Sequence, residues 1–114
     1  MSEIKIGGWR TKIDAIDTTL LHLLNVRAGF ALEVGRLKGA RGLALRVPAR
    51  EQEILTRLKK LNPGPLDGRA VEKIYRQILH ESIRIQESHG FGSARLAQRE
   101  KSRPPEKRRK LAAA

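Results

Sequence analysis

The stretch "NVRAGFALEVGRLK", Asn25–Lys38, decides the fold. Its apolar residues recur in steps of three and four, the spacing of a helix with one buried side. The stripe begins upstream and reads Ile13, Ile16, Leu20, Leu24, Arg27, Ala31, Val34, Lys38. Two cations occupy positions where the pattern asks for core residues. A buried cation without an anion costs several kcal/mol, so the two need a partner.

Working outward, Ile6 to Lys38 reads as one long amphipathic helix with no proline. Asp14, Asp17, Thr18, Thr19, Asn25, Glu33 and Arg36 lie largely off the stripe. Gly29 and Gly35 weaken it by about 1 kcal/mol each relative to alanine. A helix of roughly 33 residues is about 50 Å long. A 114-residue chain cannot cover that length with what remains of it, which points to a partner chain. "GARGLALRVP" (39–48) is a loop whose glycines stop the first helix, and Pro48 suits the first turn of the next. A second helix spans 48–61, with Ile54, Leu55, Leu58 and Leu61 on its apolar side. "NPGPLDG" (62–68) breaks the pattern. Asp67 or Leu66 opens a third helix that runs to Ser88, with the stripe Val71, Ile74, Tyr75, Ile78, Ser82, Ile85, Gln86. There is no strand pattern and no internal repeat. The expectation is all-α, with one long and two shorter helices.

The length suits one domain. With no cysteine there is no disulfide framework and no thiolate site. No apolar run approaches the roughly 18 to 20 residues of a membrane span, and "MSEIKIGGWR" lacks the apolar core of a signal peptide. A soluble, cytoplasmic protein is expected. Aromatic residues make up only 4%, which fits aliphatic helix packing. The net charge is +12, and residues 89–114 carry half of it, with eight Lys/Arg against two Asp/Glu. Such an excess favours anionic partners. Residues 1–89 read as the helical domain and 90–114 as a basic, disordered tail. "KRRK" in that tail reads first as a solvated run, with a nucleic-acid contact or a localisation-like patch as the alternatives. The closing "KLAAA" resembles a vector-derived linker and is excluded from fold reasoning.

Polar residues interrupt the stripes elsewhere too. Ser82 and Gln86 stand one turn apart on the third, Arg50 and Glu51 open the second helix, and Arg10 lies near the start of the first. Singly, each has a plain explanation. An arginine can extend its head to water, a serine or glutamine can be a satisfied core residue, and Glu51 can favour the dipole of its helix. Together they describe a cation-lined pocket in a helix bundle. Arginine grips carboxylates through paired donors, lysine acts as a point charge, and glutamine adds a neutral donor. The ligand class is an acid with at least one carboxylate. His22, His80 and His89 are scattered, and no Ser–His pair has useful spacing. Neither metal nor cofactor is expected, so any catalysis rests on positioning and electrostatic stabilisation.

The elements "WRTKIDAIDTTLLHLLNVR" (9–27), "EVGRLK" (33–38), "RVPAREQEIL" (46–55) and "ILHESIRIQ" (78–86) resemble the all-helical chorismate mutases, the AroQ class. The resemblance runs from Trp9 to Glu87 and includes Arg10, Arg27, Lys38, Arg50, Glu51, Ser82 and Gln86. It implies an intertwined homodimer of three-helix subunits whose long first helices pair, and two active sites built from both chains. The reaction implied is the Claisen rearrangement of chorismate to prephenate, on the route to phenylalanine and tyrosine. Arg27, with Arg10 from the partner chain, would bind the two carboxylates. Lys38 would contact a carboxylate and the ether oxygen, and Gln86 would donate to that same oxygen. Glu51 would hold the ring hydroxyl, with Arg50 and Ser82 supporting the hydroxyl and carboxylate ends. By this resemblance Lys38, Gln86, Arg27 and Glu51 would be the catalytic set.

One position departs from the pattern. Many relatives have an aspartate three residues before the arginine of the Arg-Glu pair, and here that position is Val47. Some relatives also carry glutamate in place of Gln86. That side chain donates only when protonated, whereas an amide donates at any pH. Three other readings compete. Isochorismate-pyruvate lyases share the architecture and a lysine at the breaking C–O bond, and Glu51 favours the mutase over them. A nucleic-acid-binding helical protein fits the charge but not cations placed on apolar stripes. A plain helical dimerisation module would leave Lys38 and Gln86 without a role.

Overall fold

Three helices and no strand make up the described residues, 2–92, of the computed structural model. They are α1 (Ser2–Ala40), α2 (Pro48–Leu61) and α3 (Gly68–Ser88). The second and third match the sequence pattern, whereas α1 begins earlier than Ile6. The tail reading for 93–114 lies outside the described residues. No helix among those residues is long and apolar enough to cross a membrane.

The helix ends follow local chemistry. Gly39 is still helical, and Gly42 ends α1 with φ +68°, where a Cβ would be strained. The Gly42 N–H donates to Gly39 O (3.2 Å) and the Leu43 N–H to Lys38 O (2.9 Å), the paired bonds of a Schellman termination. α3 ends in the same way. Gly90 has φ +84°, its N–H donates to Glu87 O (2.9 Å), and the Phe91 N–H donates to Gln86 O (3.1 Å). At the start of α3, Asp67 Oδ1 accepts from Ala70 N at 2.8 Å, so Asp67 rather than Leu66 is the cap. Val47 occupies the equivalent position of α2 and makes no side-chain cap bond; Pro48 comes directly after it.

Two compact units divide the chain after Phe30. The first is the N-terminal part of α1. Ile13, Ile16 and Leu20 on its stripe are 56%, 65% and 50% exposed in the single chain. The second holds the end of α1, together with α2 and α3. Its core is Ile54, Leu55 and Leu79, with Leu58 and Tyr75 packed against them, and Leu55 is only 1% exposed. Leu45 and Val71 are also buried. Leu79 is off the stripe read from the sequence, while Ile74 and Leu61, both on stripes, are exposed. α3 carries two apolar rows, one through Ile74, Ile78 and Ile85 and one through Val71, Tyr75 and Leu79. The cluster with α2 uses Tyr75 and Leu79 of the second row. Lys59 Nζ bridges to Glu72 Oε1 (2.8 Å) from α2 to α3. In the turn between them, Asn62 accepts from Gly64 N (3.2 Å) and donates to Leu66 O (2.6 Å).

Candidate active site

Lys38 and Gln86 hold the same place in their helices, four residues before the glycine that ends each one. The carbonyl of each accepts the closing N–H, from Leu43 for Lys38 and from Phe91 for Gln86. Their backbones are therefore fixed where helix ends commonly fray. The side chains are fixed as well. Lys38 Nζ donates to Leu45 O at 3.0 Å, and Leu45 itself is buried. Gln86 is 5% exposed, and its Nε2 donates to Ala31 O at 2.6 Å. Gln86 Oε1 is buried and accepts no hydrogen bond among the described residues.

Ser82 stands one turn before Gln86 on α3, and its Oγ donates to Ile78 O at 3.0 Å. Glu51 lies in the first turn of α2, half-buried, and accepts from Arg46 Nε at 2.8 Å. The hydrogen bond from Arg46 and the attraction between the charges raise the Arg46 pKa. Arg50 takes a different partner from its neighbour and bonds Glu53 at 2.6 Å on the exposed side of α2. Lys38, Arg50, Glu51, Ser82 and Gln86 belong to the second unit. Arg10, exposed, and Arg27, half-buried, belong to the first.

Several contributors were not visible in the stripe pattern. Arg46 orients Glu51 from the loop. The carbonyls of Leu45 and Ala31 hold Lys38 and Gln86. Gly35 lies beneath Gln86, where a Cβ would come within 2.9 Å of Gln86 Cγ. The only available hint was the small pair Ala31 and Gly35, spaced one helical turn apart. Among the described residues no group of three or more His, Cys, Asp or Glu side chains is placed to hold a metal. An anchored ammonium and an anchored carboxamide are each the kind of donor that suits an oxygen gaining negative charge.

A family model for chorismate mutase type II matches residues 9–87. The chain belongs to this family. All seven predicted site residues fall inside the matched segment. The chorismate mutase domain of this chain is similar to bifunctional chorismate mutase/prephenate dehydratases. That of Neisseria gonorrhoeae is 40% identical over 77 residues, 68% of this chain and 21% of the relative. That of Aquifex aeolicus is 36% identical over 81 residues, 68% of this chain and 22% of the relative. The chain thus spans about a fifth of their length. The solved chorismate mutase of Thermus thermophilus superposes with a TM-score of 0.72 at 32% identity, covering 73% of this chain and 94% of that one.

Proposed function

We propose that this chain is a chorismate mutase that converts chorismate to prephenate, working as a homodimer. The observation that carries this reading is the pair of donors tied down at two helix ends, Lys38 Nζ on Leu45 O and Gln86 Nε2 on Ala31 O. In the rearrangement the ether C–O bond breaks as a C–C bond forms between the enolpyruvyl methylene and the ring, and the ether oxygen gains negative charge on the way to a carbonyl. Lys38 and Gln86 donate to that oxygen and bind it more strongly in the transition state than in the ground state. Arg27 and the partner chain's Arg10 grip the two carboxylates, and Glu51, oriented by Arg46, accepts the ring hydroxyl. Arg50 and Ser82 support the ends of the substrate. Held at both ends, the substrate keeps its enolpyruvyl arm over the ring. The apolar stripe of the first unit, exposed in one chain, supports pairing with a second copy.

The test is loss of chorismate absorbance with the wild type, Lys38→Ala and Gln86→Ala. Each variant should lose about 100-fold or more in kcat, Lys38→Ala the more because it removes a full charge. Both should remain folded dimers. Wild type that leaves chorismate intact but releases pyruvate from isochorismate would replace this reading with the lyase. Turnover unchanged in both variants would remove the assigned roles.

A further inference from the structure

We infer that Gly35 is a positioning residue for the reaction, because its missing Cβ is the space that lets α3 seat Gln86 against α1. This rests on the role proposed for Gln86. A Cβ on Gly35 would lie 2.9 Å from Gln86 Cγ and 3.3 Å from both Gln86 Cβ and Cδ. Ordinary carbon contacts are about 3.5–4.0 Å. The atoms met are not the far end of a flexible chain. Cβ and Cγ sit near the α3 backbone, and the amide beyond them is tied to Ala31 O at 2.6 Å. The residue is also 5% exposed, which leaves the side chain little room to swing aside.

Ala31 and Gly35 are one turn apart, and in a helix the Gly35 N–H donates to the Ala31 carbonyl. The same turn of α1 therefore does two things for Gln86. Its carbonyl takes one amide proton and fixes the plane of the carboxamide, and its glycine sets how deep that carboxamide sits. The second amide proton is left for the ether oxygen. Gly29, in the same helix, shows the contrast, since a Cβ there would meet nothing within 4 Å.

The test is a double-mutant cycle of Gly35→Ala and Gln86→Ala, with Gly29→Ala as the helix-propensity control. Kinetics, circular dichroism and oligomeric state are read for each protein. Displacement by a sizeable fraction of an ångström should lower kcat about 10- to 100-fold in Gly35→Ala, with KM changed far less. In the Gln86→Ala background the same substitution should change kcat by less than about twofold, because the Cγ it meets most closely and the amide it displaces are gone. Gly29→Ala should keep wild-type kcat. An equal loss from Gly35→Ala in both backgrounds, or no loss in either, overturns the inference and leaves the proposed function standing. Should Gly35→Ala alone fail to fold, refolding of the double variant supports the coupling and failure of the double variant overturns it. Absence of wild-type turnover, or an unimpaired Gln86→Ala, overturns the role of Gln86 itself and the inference with it.

Discussion

Val47→Asp should stabilise the protein. Val47 is the N-cap of α2, with φ −126° and ψ 98°, and its side chain makes no bond to the helix. The same fold contains the comparison, since Asp67 caps α3 with a 2.8 Å bond from Ala70 N. The first turn of α2 has only main-chain help: Arg50 N and Glu51 N both donate to Val47 O, at 3.0 and 3.1 Å. A carboxylate at position 47 accepts one N–H of that turn, worth about 1 kcal/mol. It also meets the positive end of the helix, worth about 0.3–1 kcal/mol. Arg46 and Arg50 flank it with cations. Val47 is 40% exposed, so part of its apolar burial is lost and offsets some of the gain. A gain near 1 kcal/mol raises Tm by about 4–8 °C in a domain of this size. The assay is thermal unfolding at one fixed protein concentration, since the Tm of the proposed dimer would depend on concentration. The carboxylate at a helix start has a lowered pKa, so its gain is present above the unfolded value. The gain is lost as pH falls through the folded value. An unchanged or lower Tm at neutral pH would refute the argument.

Three further outcomes are expected. Leu55→Ala removes the most buried side chain of the α2–α3 core and should cost about 2–5 kcal/mol in denaturant unfolding; a loss within error would move the core elsewhere. Gln86→Glu places a carboxyl against Ala31 O in a buried position, which favours the neutral acid and raises its pKa. Its turnover should be present at low pH and fall as pH rises through that value, while wild type stays flat from about pH 5 to 9 because an amide has no proton to lose; parallel profiles would contradict this. Glu72 is held below the ordinary carboxylate range chiefly by the hydrogen bond from Lys59, with burial opposing. Its contribution is present above the unfolded pKa and lost as pH falls through the folded one, so Glu72→Gln should shallow the acid limb of the stability curve, and an unaltered limb would count against the bridge.

The helices were legible because each carries its own period and punctuation. Pro48 and the cluster 62–68 fixed α2, and Asp67 fixed the start of α3. The residue types proposed to bind an acid stood out as polar breaks in apolar stripes. Other features rest on pairs far apart in sequence. The bond from Gln86 to Ala31 spans 55 residues, and no local pattern contains it. Leu79 was missed because α3 has two apolar rows, and only packing against α2 chooses between them. Gly35 read as a weak point in a helix, since its value appears only when Gln86 is set against it. Arg50 read as part of a pair with Glu51, yet the two turn to Glu53 and Arg46 respectively.

The matching glycine endings of α1 and α3 bear on where the chain can be cut, lengthened or joined to something else. A residue added between Lys38 and Gly42, or between Gln86 and Gly90, would turn the downstream chain by about 100° and undo the closing bonds on the carbonyl of a donor. The stretch 43–47 is little safer, because Leu45 O must still reach Lys38. The turn 62–67 holds neither donor, and among its residues only Asn62 is half-buried while the rest are exposed. Loop-length drift and epitope grafts should therefore be tolerated between α2 and α3, and rejected at the α1–α2 connection and at the end of α3.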